Sequence, residues 1–325
     1  MIKTNKKLKG IKFIDLFCGI GGFRQALSSY GAKCVFSSEW DEAACKVYER
    51  NYNEKPYGDI TKIDEKDVPE HSILCAGFPC QPFSISGNRK GFEDARGTLF
   101  FDIIRIAMCK KPKVMFLENV KNLRGHDGGK TMETILRLID EAGYDCWWNV
   151  LSSSNYGIPQ QRERLYFVCF RKDLNVEKFE FPHPKKETKC VIDILDDDEE
   201  AISSAIIKRD DIVMFEEKDK VERKNKPIRV GTVNKGGQGE RIYSPYGVGI
   251  TLSAYGGGAG AKTGLYYINN NVRRLTPREC ARMQGFPDDF IIDENKNTAY
   301  KQFGNSVSID VLQYIVGSII ETGAV

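Results

Sequence analysis

The stretch that decides the fold is Phe13-Ile14-Asp15-Leu16-Phe17-Cys18-Gly19-Ile20-Gly21-Gly22. Its apolar first half predicts a β-strand over Lys12–Phe17, and the glycines that follow predict a tight turn before a helix over Phe23–Tyr30. Glycines at such a turn let a ligand approach backbone N–H groups at the start of the helix. The stretch lacks the complete G-x-G-x-x-G spacing, so a dinucleotide site is a poor fit.

The same alternation continues along the first half of the chain. Further strands are predicted at Ala32–Ser37, Ser72–Ala76, Val114–Glu118, Cys146–Leu151 and Leu165–Phe170. Further helices are predicted at Asp41–Asn51, Thr98–Cys109 and Lys130–Ala142. Strands that alternate with helices form βαβ units, so we expect an α/β fold with a mostly parallel sheet.

The pattern changes after about Pro184. Residues 185–230 are polar and rich in charge, and residues 231–267 carry a high share of the glycines, with short β-like pieces between them. We expect a smaller, loop-rich second domain there. The apolar helix predicted at Ile309–Glu321 would return to the first domain.

Composition excludes several classes of protein. Hydrophobic residues make up 41% of the 325 residues, which is enough for a sizeable core, and the net charge of +3 permits nucleic-acid binding without arguing for it. The ten cysteines form no C-x-x-C pair and do not cluster with the three histidines, so we expect neither a metal site nor a disulfide framework. The basic N-terminus lacks the apolar core of a signal peptide, and no apolar run approaches the length of a membrane span. We therefore expect a cytoplasmic protein with no membrane partner.

Polar residues follow the predicted strands where a ligand would bind. Glu39 ends the second strand, where a carboxylate can hold ribose hydroxyls, and Trp40 beside it offers a face to a purine. Asp59 ends a later segment and is placed to reach an adenine amino group. These residues favour a cofactor that contains adenosine.

A thiol, a carboxyl group and an arginine mark a second set of strand ends. Cys80 lies between Pro79 and Pro82 after one predicted strand, which is unusual for a buried structural cysteine. Glu118 ends another strand, and Gln161-Arg162-Glu163-Arg164 precedes a third. The carboxyl ends of strands in an open α/β sheet are where ligands bind, so we expect these groups to meet beside the cofactor.

The joint pattern resembles the cytosine C5-methyltransferases. The matching motifs are FIDLFCGIGGF, GFPCQPFS, ENV, QRERLYFV, RRLTPRECARMQGFP and QFGNSV, in the order of the family and from Phe13 to Val307. The resemblance is closest to compact restriction-system enzymes that recognise GCGC. It implies a Rossmann-like sheet of an S-adenosylmethionine-dependent methyltransferase with a smaller, loop-rich target-recognition domain. It also implies a catalytic and cofactor-binding domain at 1–190 and 303–325, with the target-recognition domain and hinge at 191–302.

The resemblance assigns roles residue by residue. Cys80 would be the nucleophile that attacks C6 of a cytosine flipped out of duplex DNA, Glu118 would hold N3 and the exocyclic amine, and Arg164, with Arg162 near it, would contact O2 and orient Glu118. The residues implied for S-adenosylmethionine are Phe17, Gly19, Ile20, Gly21, Gly22, Glu39, Trp40, Asp59, Ile60, Pro79, Leu99, Asn305, Ser306 and Val307.

The DNA contacts implied in the same way fall in two regions. They are Ser84, Ser86, Lys90, Arg96, Gln238, Arg241, Thr251, Ser253, Tyr255, Gly257 and Gly258. The stretch Ser84–Thr98 would be a mobile loop that closes over the DNA, with Ser86 and Gln238 filling the space that the flipped base leaves. We expect a monomer that acts on double-stranded DNA, with a restriction endonuclease for the same site as its cognate partner.

Two stretches depart from the family pattern, and three alternative functions are open. Residues 185–230 match the family poorly, and Pro245-Tyr246 stands where a threonine and an arginine are expected, which would weaken a phosphate or base contact. Methylation of transfer RNA cytosine would use the same chemistry, although the glycine-rich segment favours DNA. A non-catalytic DNA-binding or cofactor-sensing protein would not need Cys80, Glu118 and Arg164 together. A nicotinamide-dependent dehydrogenase would need the missing dinucleotide fingerprint.

Overall fold

A computed structural model describes residues 6–79, 98–185, 189–219, 222–256 and 258–325. The chain divides into two compact units. The first unit comprises Ile2–Leu151, Glu163–His183 and Leu312–Val325, and the second comprises Ser152–Arg162 and Pro184–Val311.

The elements follow the predicted alternation closely. The strands are β1 (Lys12–Leu16), β2 (Lys33–Ser38), β3 (Ile73–Gly77), β4 (Val114–Val120), β5 (Tyr144–Ser152), β6 (Gln160–Gln161), β7 (Glu163–Arg171), β8 (Val213–Met214), β9 (Arg229–Thr232), β10 (Arg241–Tyr243), β11 (Gly249–Ile250), β12 (Leu265–Ile268) and β13 (Asn271–Arg273). The α-helices are α1 (Gly22–Ser29), α2 (Glu42–Tyr52), α3 (Leu99–Lys110), α4 (Lys130–Glu141), α5 (Glu199–Ala205), α6 (Pro277–Met283), α7 (Lys296–Asn305) and α8 (Ile309–Glu321). Short 3-10 turns lie at Ile60–Lys62, Lys121–Gly129, Ser153–Tyr156, Lys172–Leu174, Val191–Ile194 and Glu216–Asp219.

The first unit is built on a six-stranded sheet in the order β2-β1-β3-β4-β7-β5. Strands β1 to β4 run parallel, and β7 pairs antiparallel with β4. The inner strands are mainly apolar because both faces of the sheet are covered, and Ile14, Leu74 and Leu117 are fully buried in one core cluster. The architecture is the α/β fold that the alternation predicted, with the late strand pair as its antiparallel edge.

Local capping fixes where α2 begins, directly after Glu39 and Trp40. The carboxylate of Asp41 accepts hydrogen bonds from the backbone N–H groups of Ala43 and Ala44 at 3.0 and 3.1 Å. A side chain that satisfies two free N–H groups at a helix start typically stabilises the helix by about 1 kcal/mol. The cap therefore holds the end of β2 and the start of α2 in a fixed relation.

The second unit contains a five-stranded sheet in the order β13-β12-β10-β9-β8. Its strands are only two to four residues long, and its small core is formed by Val230, Val233, Ile242, Leu265 and Val272. The loop-rich character predicted from the glycines is thus present in this unit.

The compact units differ from the predicted domains at three places, since residues 152–162, 184–190 and 303–311 belong to the second unit. The physical reason is Arg162, which is 2% exposed. Its guanidinium group donates to the carbonyl oxygens of Leu252 at 3.2 Å, Gly304 at 3.2 Å and Ser306 at 2.6 Å. These hydrogen bonds connect residues 152–162 and 303–311 to each other and to the chain around Leu252. The predicted functional boundary at residues 190 and 303 stays a prediction.

The C-terminal run Lys296–Glu321 comprises α7 and α8. It has the length of a membrane span, and an 18-residue window within it has a mean hydropathy of 1.2, but 72% of that window is buried inside the protein. Core helices commonly have this composition, so the run is weak support for a membrane segment.

Candidate active site

The glycine turn after β1 carries the backbone geometry that the sequence predicted. Phe17, Gly19 and Gly21 have φ values of +56°, +53° and +88°, and Gly21 is the N-cap residue directly before α1. Nothing lies within 4 Å of where a Cβ of Gly19 would stand, so the backbone there is open to a ligand. A Cβ at Gly21 would instead meet the ring of Tyr52 at 2.5 Å. The two glycines thus serve different purposes: one leaves space, and the other permits close packing.

The carboxylate of Glu39 is bound to the glycine turn. Its Oε2 accepts from the backbone N–H of Gly19 at 2.9 Å, and its Oε1 accepts from the N–H groups of Trp40 and Asp41, both at 2.9 Å. A carboxylate offers about four acceptor positions. Three donors fix its orientation and leave capacity on Oε2 for one further donor such as a hydroxyl group.

Tyr52, at the end of α2, is a part of this turn that sequence reasoning missed. Its hydroxyl group donates towards the carbonyl oxygens of Gly21 and Ile20 at 3.1 and 3.4 Å and accepts from Nε2 of Gln25 at 3.0 Å. The guanidinium group of Arg24 lies over the Tyr52 ring, 4.5 Å from its centroid. Tyr52 therefore stabilises the glycine turn through hydrogen bonds to its backbone, and no sequence motif predicts this role.

Asp15 is an ionisable group buried directly beneath the turn. It is fully buried on β1. Burial raises the pKa of this carboxyl group to about 8, although nearby Arg24 acts to lower it. The side chain is therefore mostly protonated and neutral at neutral pH.

The other residues predicted for the cofactor are distributed as follows. Trp40 is 73% exposed, and Ile60 is buried at 2%. Asp59 begins the 3-10 turn, where its Oδ1 accepts from the N–H and hydroxyl groups of Thr61 at 3.0 and 2.8 Å. Burial alone would raise the pKa of Asp59, but these hydrogen bonds outweigh it and lower the pKa. Pro79 is exposed, and Leu99 is the half-buried first residue of α3.

Glu118 and Arg164 are brought together by the antiparallel pairing of β4 with β7. Nε of Arg164 lies 3.2 Å from Oε1 of Glu118, and both side chains are largely buried, at 15% and 10% exposure. The register sets this contact, because Arg164 pairs with Val120, two residues beyond Glu118. The contact with the guanidinium group fixes the orientation of the carboxylate. The predicted pairing of a carboxyl group with an arginine at this sheet edge is therefore present in the structure.

Asn119 links this pair to the predicted catalytic loop. It is 2% exposed, and its side-chain amide donates to the carbonyl oxygen of Phe78 at 2.9 Å. Glu118 pairs with Gly77 across β3 and β4, so the chain that enters the loop lies beside the carboxylate. Cys80 itself lies outside the described residues, as do Ser84, Ser86, Lys90, Arg96 and the Ser84–Thr98 loop except for Thr98.

The remaining predicted cofactor residues lie in the second unit. Asn305, the last residue of α7, is exposed, and Val307, between α7 and α8, is 8% exposed. Ser306 between them offers its carbonyl oxygen to Arg162 at 2.6 Å. Arg162 thus donates hydrogen bonds to three backbone carbonyl oxygens, two of which belong to residues 304–306, and it anchors this segment.

The predicted DNA contacts of the second unit gather on two adjoining loops. Gln238 and Arg241 are exposed, and Tyr255 is 71% exposed. The loops touch where the N–H of Gly260 donates to the carbonyl oxygen of Gly239 at 2.8 Å. Gly258 is exposed, whereas Gly257 lies outside the described residues.

Two of the predicted contacts make hydrogen bonds within the unit. The hydroxyl group of Thr251 donates to the carbonyl oxygen of Gln161 at 2.6 Å, and that of Ser253 donates to the carbonyl oxygen of Tyr255. Glu240 fixes the other loop, since its carboxylate accepts from the side-chain amide of Asn234 at 2.7 Å and the N–H of Gly237 at 2.8 Å. The exposed Gln238 therefore lies in a turn that the hydrogen bonds of Glu240 stabilise.

Comparison with known proteins decides the family. The family model described as C-5 cytosine-specific DNA methylase matches residues 11–321. The chain belongs to the C-5 cytosine-specific DNA methylase family. It is a DNA cytosine C5-methyltransferase, as the motifs predicted.

Similar methyltransferases cover almost the whole chain. Type II methyltransferase M.HhaI of Haemophilus parahaemolyticus is 56% identical over 316 residues, covering 97% of this chain and 96% of the relative. Type II methyltransferase M.HpaII of Haemophilus parainfluenzae is 41% identical over 330 residues, covering 95% of this chain and 89% of the relative. A family match of this extent means that the resemblance is not confined to the short motifs.

Solved structures of methyltransferases share the fold. The crystal structure of the S. pombe Dnmt2 methyltransferase has a TM-score of 0.71 at 21% identity and covers 96% of this chain and 98% of its own. A putative DNA modification methyltransferase encoded within an E. coli prophage has a TM-score of 0.66 at 20% identity, covering 96% of this chain and 99% of its own. The predicted methyltransferase sheet with a smaller second part is confirmed.

Proposed function

We propose that this DNA cytosine C5-methyltransferase takes its methyl group from S-adenosylmethionine and modifies the internal cytosine of GCGC in duplex DNA. The observation that carries the chemical part is the buried contact between Glu118 and Arg164, 3.2 Å apart at the strand ends beside the Cys80 loop. The GCGC site rests on the closeness of the motifs to family members that recognise it.

The residues of the glycine turn fit a cofactor that contains adenosine. The open backbone at Gly19 accommodates a ligand, Glu39 keeps an acceptor for a ribose hydroxyl group, and the exposed ring of Trp40 offers a stacking surface for adenine. S-adenosylmethionine supplies a methyl group on a positively charged sulfur, which is an electrophile. Asp59, Ile60, Pro79 and Leu99 would complete this side, with Asn305, Ser306 and Val307 contributed by the segment that Arg162 anchors.

Three side chains of the protein would activate the base. The thiolate of Cys80 adds to C6 of cytosine, which makes C5 nucleophilic enough to accept the methyl group. Glu118 holds N3 and the exocyclic amine as charge develops on the ring, and Arg164 contacts O2 and keeps Glu118 in place. Loss of the C5 proton then allows Cys80 to leave by β-elimination.

The target carbon is out of reach in stacked DNA, so the base has to be flipped out of the helix. The braced turn that presents Gln238 supports its proposed place in the vacated space, and Arg241 and Tyr255 are exposed beside it. Ser86 would share the filling of that space with Gln238. We expect the enzyme to act as a monomer in the cytoplasm, with a restriction endonuclease of the same specificity as its partner.

The nucleophile is tested by Cys80→Ser. Turnover should be abolished while S-adenosylmethionine binding, measured by calorimetry, stays largely intact, because the thiolate acts in the chemical step. DNA with 5-fluorocytosine at the target should trap a covalent complex through Cys80, since fluorine cannot leave as the proton does. Comparable turnover in Cys80→Ser, or no trapped complex, would refute the assignment.

The Glu118–Arg164 pair is tested by a double-mutant cycle. Glu118→Gln keeps the shape of the side chain and should lower kcat by about 10²–10⁴-fold. Arg164→Ala should also lower kcat, and the double variant should be little worse than Glu118→Gln, because Arg164 acts in part through Glu118. Fully additive losses would show that the two side chains act independently.

The substrate is tested by offering duplex DNA and transfer RNA to the same enzyme. Preferential labelling of the DNA is expected, and preferential labelling of the RNA would overturn the assignment. Bisulfite sequencing of DNA from cells that express the protein should show methylation at GCGC. Methylation at another motif would overturn the sequence specificity and leave the chemistry standing.

A further inference from the structure

Two cysteines outside the proposed active site face each other across the edge of the sheet. Cys146 lies on β5 and Cys169 lies on β7, and their sulfur atoms are 3.2 Å apart. Both are free thiols. Neither belongs to a motif of the family, and the proposed methyl transfer uses neither of them.

The register shows that they are directly opposite. The N–H of Lys172 donates to the carbonyl oxygen of Gly143 at one end of the strand pair, and the N–H of Ser153 donates to the carbonyl oxygen of Arg162 at the other, both at 3.0 Å. Between these ends β5 and β7 each run nine residues in opposite directions. Counting inward pairs Cys146 with Cys169, three positions from the Gly143–Lys172 pair.

Their position in the ladder suits a disulfide. Because hydrogen-bonded and non-hydrogen-bonded pairs alternate, an odd step from Gly143–Lys172 makes Cys146–Cys169 a non-hydrogen-bonded pair, with Cα atoms about 4.5 Å apart. Disulfides form across Cα separations of about 4.4–6.8 Å. The pair lies within this range, so the bond forms without moving the backbone far.

The two thiols differ in their access to solvent. Cys169 is fully buried, with Met115 of β4 as its neighbour on the other side. Cys146 is half-buried on β5, which lies at one end of the sheet order. An oxidant in solution therefore reaches Cys146 first, and Cys169 is placed to resolve the product.

We propose that Cys146 and Cys169 form a site of reversible modification, in which a small-molecule disulfide such as oxidised glutathione converts the two thiols into a cross-strand disulfide. The Cys146 thiolate attacks one sulfur of oxidised glutathione and releases one glutathione thiolate. Cys169 then loses its proton to solvent and attacks the Cys146 sulfur, and a second glutathione leaves. The protein loses two protons and two electrons, and the one disulfide supplied takes them up to become two glutathione thiols. Burial raises the pKa of Cys169, so the second step speeds up in base.

The full-length protein tests this directly. After incubation with excess oxidised glutathione, peptide mapping by mass spectrometry should find Cys146 linked to Cys169 in most chains, and dithiothreitol should remove the link. The unfolding temperature of the oxidised protein should rise by a few degrees, because the disulfide joins two cysteines that are 23 positions apart in the chain.

Two variants make the test specific. Cys146→Ser should lose both the linked peptide and the temperature shift. Cys109→Ser removes an exposed thiol on α3 and should behave as the native chain does. The proposal is overturned if Cys109 becomes fully glutathionylated while the Cys146–Cys169 link is absent, or if glutathione stays on Cys146 as an unresolved mixed disulfide.

Discussion

Asn119 donates a hydrogen bond from its side-chain amide to the carbonyl oxygen of Phe78 at 2.9 Å. This contact joins the end of β4, which carries Glu118, to the chain that enters the Cys80 loop. The Oδ1 atom of Asn119 also accepts from the N–H of Val120 at 2.8 Å, so the amide is held at both ends. One buried side chain therefore sets the distance between the proposed carboxylate and the start of the nucleophile loop.

Replacing Asn119 should impair the chemical step more than cofactor binding. Asn119→Ala removes both hydrogen bonds and frees the backbone at Phe78, two residues before Cys80, and a displacement of about 1 Å at a reacting group can cost about 10²-fold in rate. We expect kcat to fall by about 10–100-fold while the dissociation constant for S-adenosylmethionine changes little. Single-turnover methylation and calorimetry measure the two quantities. A weaker cofactor affinity at unchanged kcat would contradict this positioning role.

Tyr52→Phe should weaken cofactor binding through the glycine turn. The substitution deletes the hydroxyl group that bridges Gln25 and the carbonyl oxygen of Gly21, and a hydrogen bond of this kind contributes about 0.5–1.5 kcal/mol. We expect the dissociation constant for S-adenosylmethionine to rise by about 2–10-fold, with kcat at saturating cofactor nearly unchanged.

The matched control is Tyr30→Phe in the same compact unit. The hydroxyl group of Tyr30 also donates to a backbone carbonyl oxygen, that of Gln313 at 2.9 Å, but this contact lies away from the turn. Its loss should lower stability by a similar amount and leave the cofactor affinity at the native value. Equal affinities in the two variants would mean that Tyr52 is only structural.

The sequence predicted the sheet and the strand-end residues because both follow from local patterns. Apolar runs and glycine turns predicted the strands and helices of the first 171 residues to within about two residues, and strand ends pointed to Glu39 and Glu118. Contacts such as Asn119 with Phe78 and Tyr52 with Gly21 join residues 41 and 31 positions apart, which no local spacing encodes. Arg162 shows the same limit, since its partners at Leu252 and Ser306 lie 90 and 144 positions away.

Asp15→Asn should change how stability depends on pH. The pKa of Asp15 is raised from 3.8 to about 8 by burial, so the folded protein keeps a proton that the unfolded chain loses above about pH 4. The free energy of unfolding therefore falls as the pH rises from about 4 to 8, and a neutral amide removes this dependence. Urea unfolding at pH 5 and pH 8 should show the variant gaining stability relative to the native chain at the higher pH.

Asp59→Asn is the control for that measurement. The pKa of Asp59 is lowered by its hydrogen bonds from Thr61, against the effect of burial, so this group is ionised in both folded and unfolded chains above pH 5. Its stability difference from the native chain should be the same at pH 5 and pH 8. A parallel behaviour of the Asp15 and Asp59 variants would show that Asp15 is ionised in the folded state.

Glu279→Gln should be among the most destabilising single substitutions in the second unit. Arg273 and Glu279 form a two-point ion pair at 2.7 Å with exposures of only 2% and 0%, and Glu279 also accepts from the N–H of Thr276 at 2.8 Å. Removing the carboxylate charge leaves a buried guanidinium group without its counter-charge, which costs about 3–5 kcal/mol. Thermal and urea denaturation should both shift to a lower midpoint.

An exposed ion pair with the same two-point geometry is the control that separates the effect of burial from the effect of the hydrogen bonds. Arg209 and Asp211 also meet at two points at 2.7 Å, but their side chains are 43% and 41% exposed. Asp211→Asn should therefore shift the midpoint much less, because water replaces the lost partner. The double substitution Arg273→Met with Glu279→Leu should recover part of the stability lost in Glu279→Gln, since it removes the isolated charge as well. Equal shifts for Glu279→Gln and Asp211→Asn would mean that the buried pair contributes no more to stability than the exposed one.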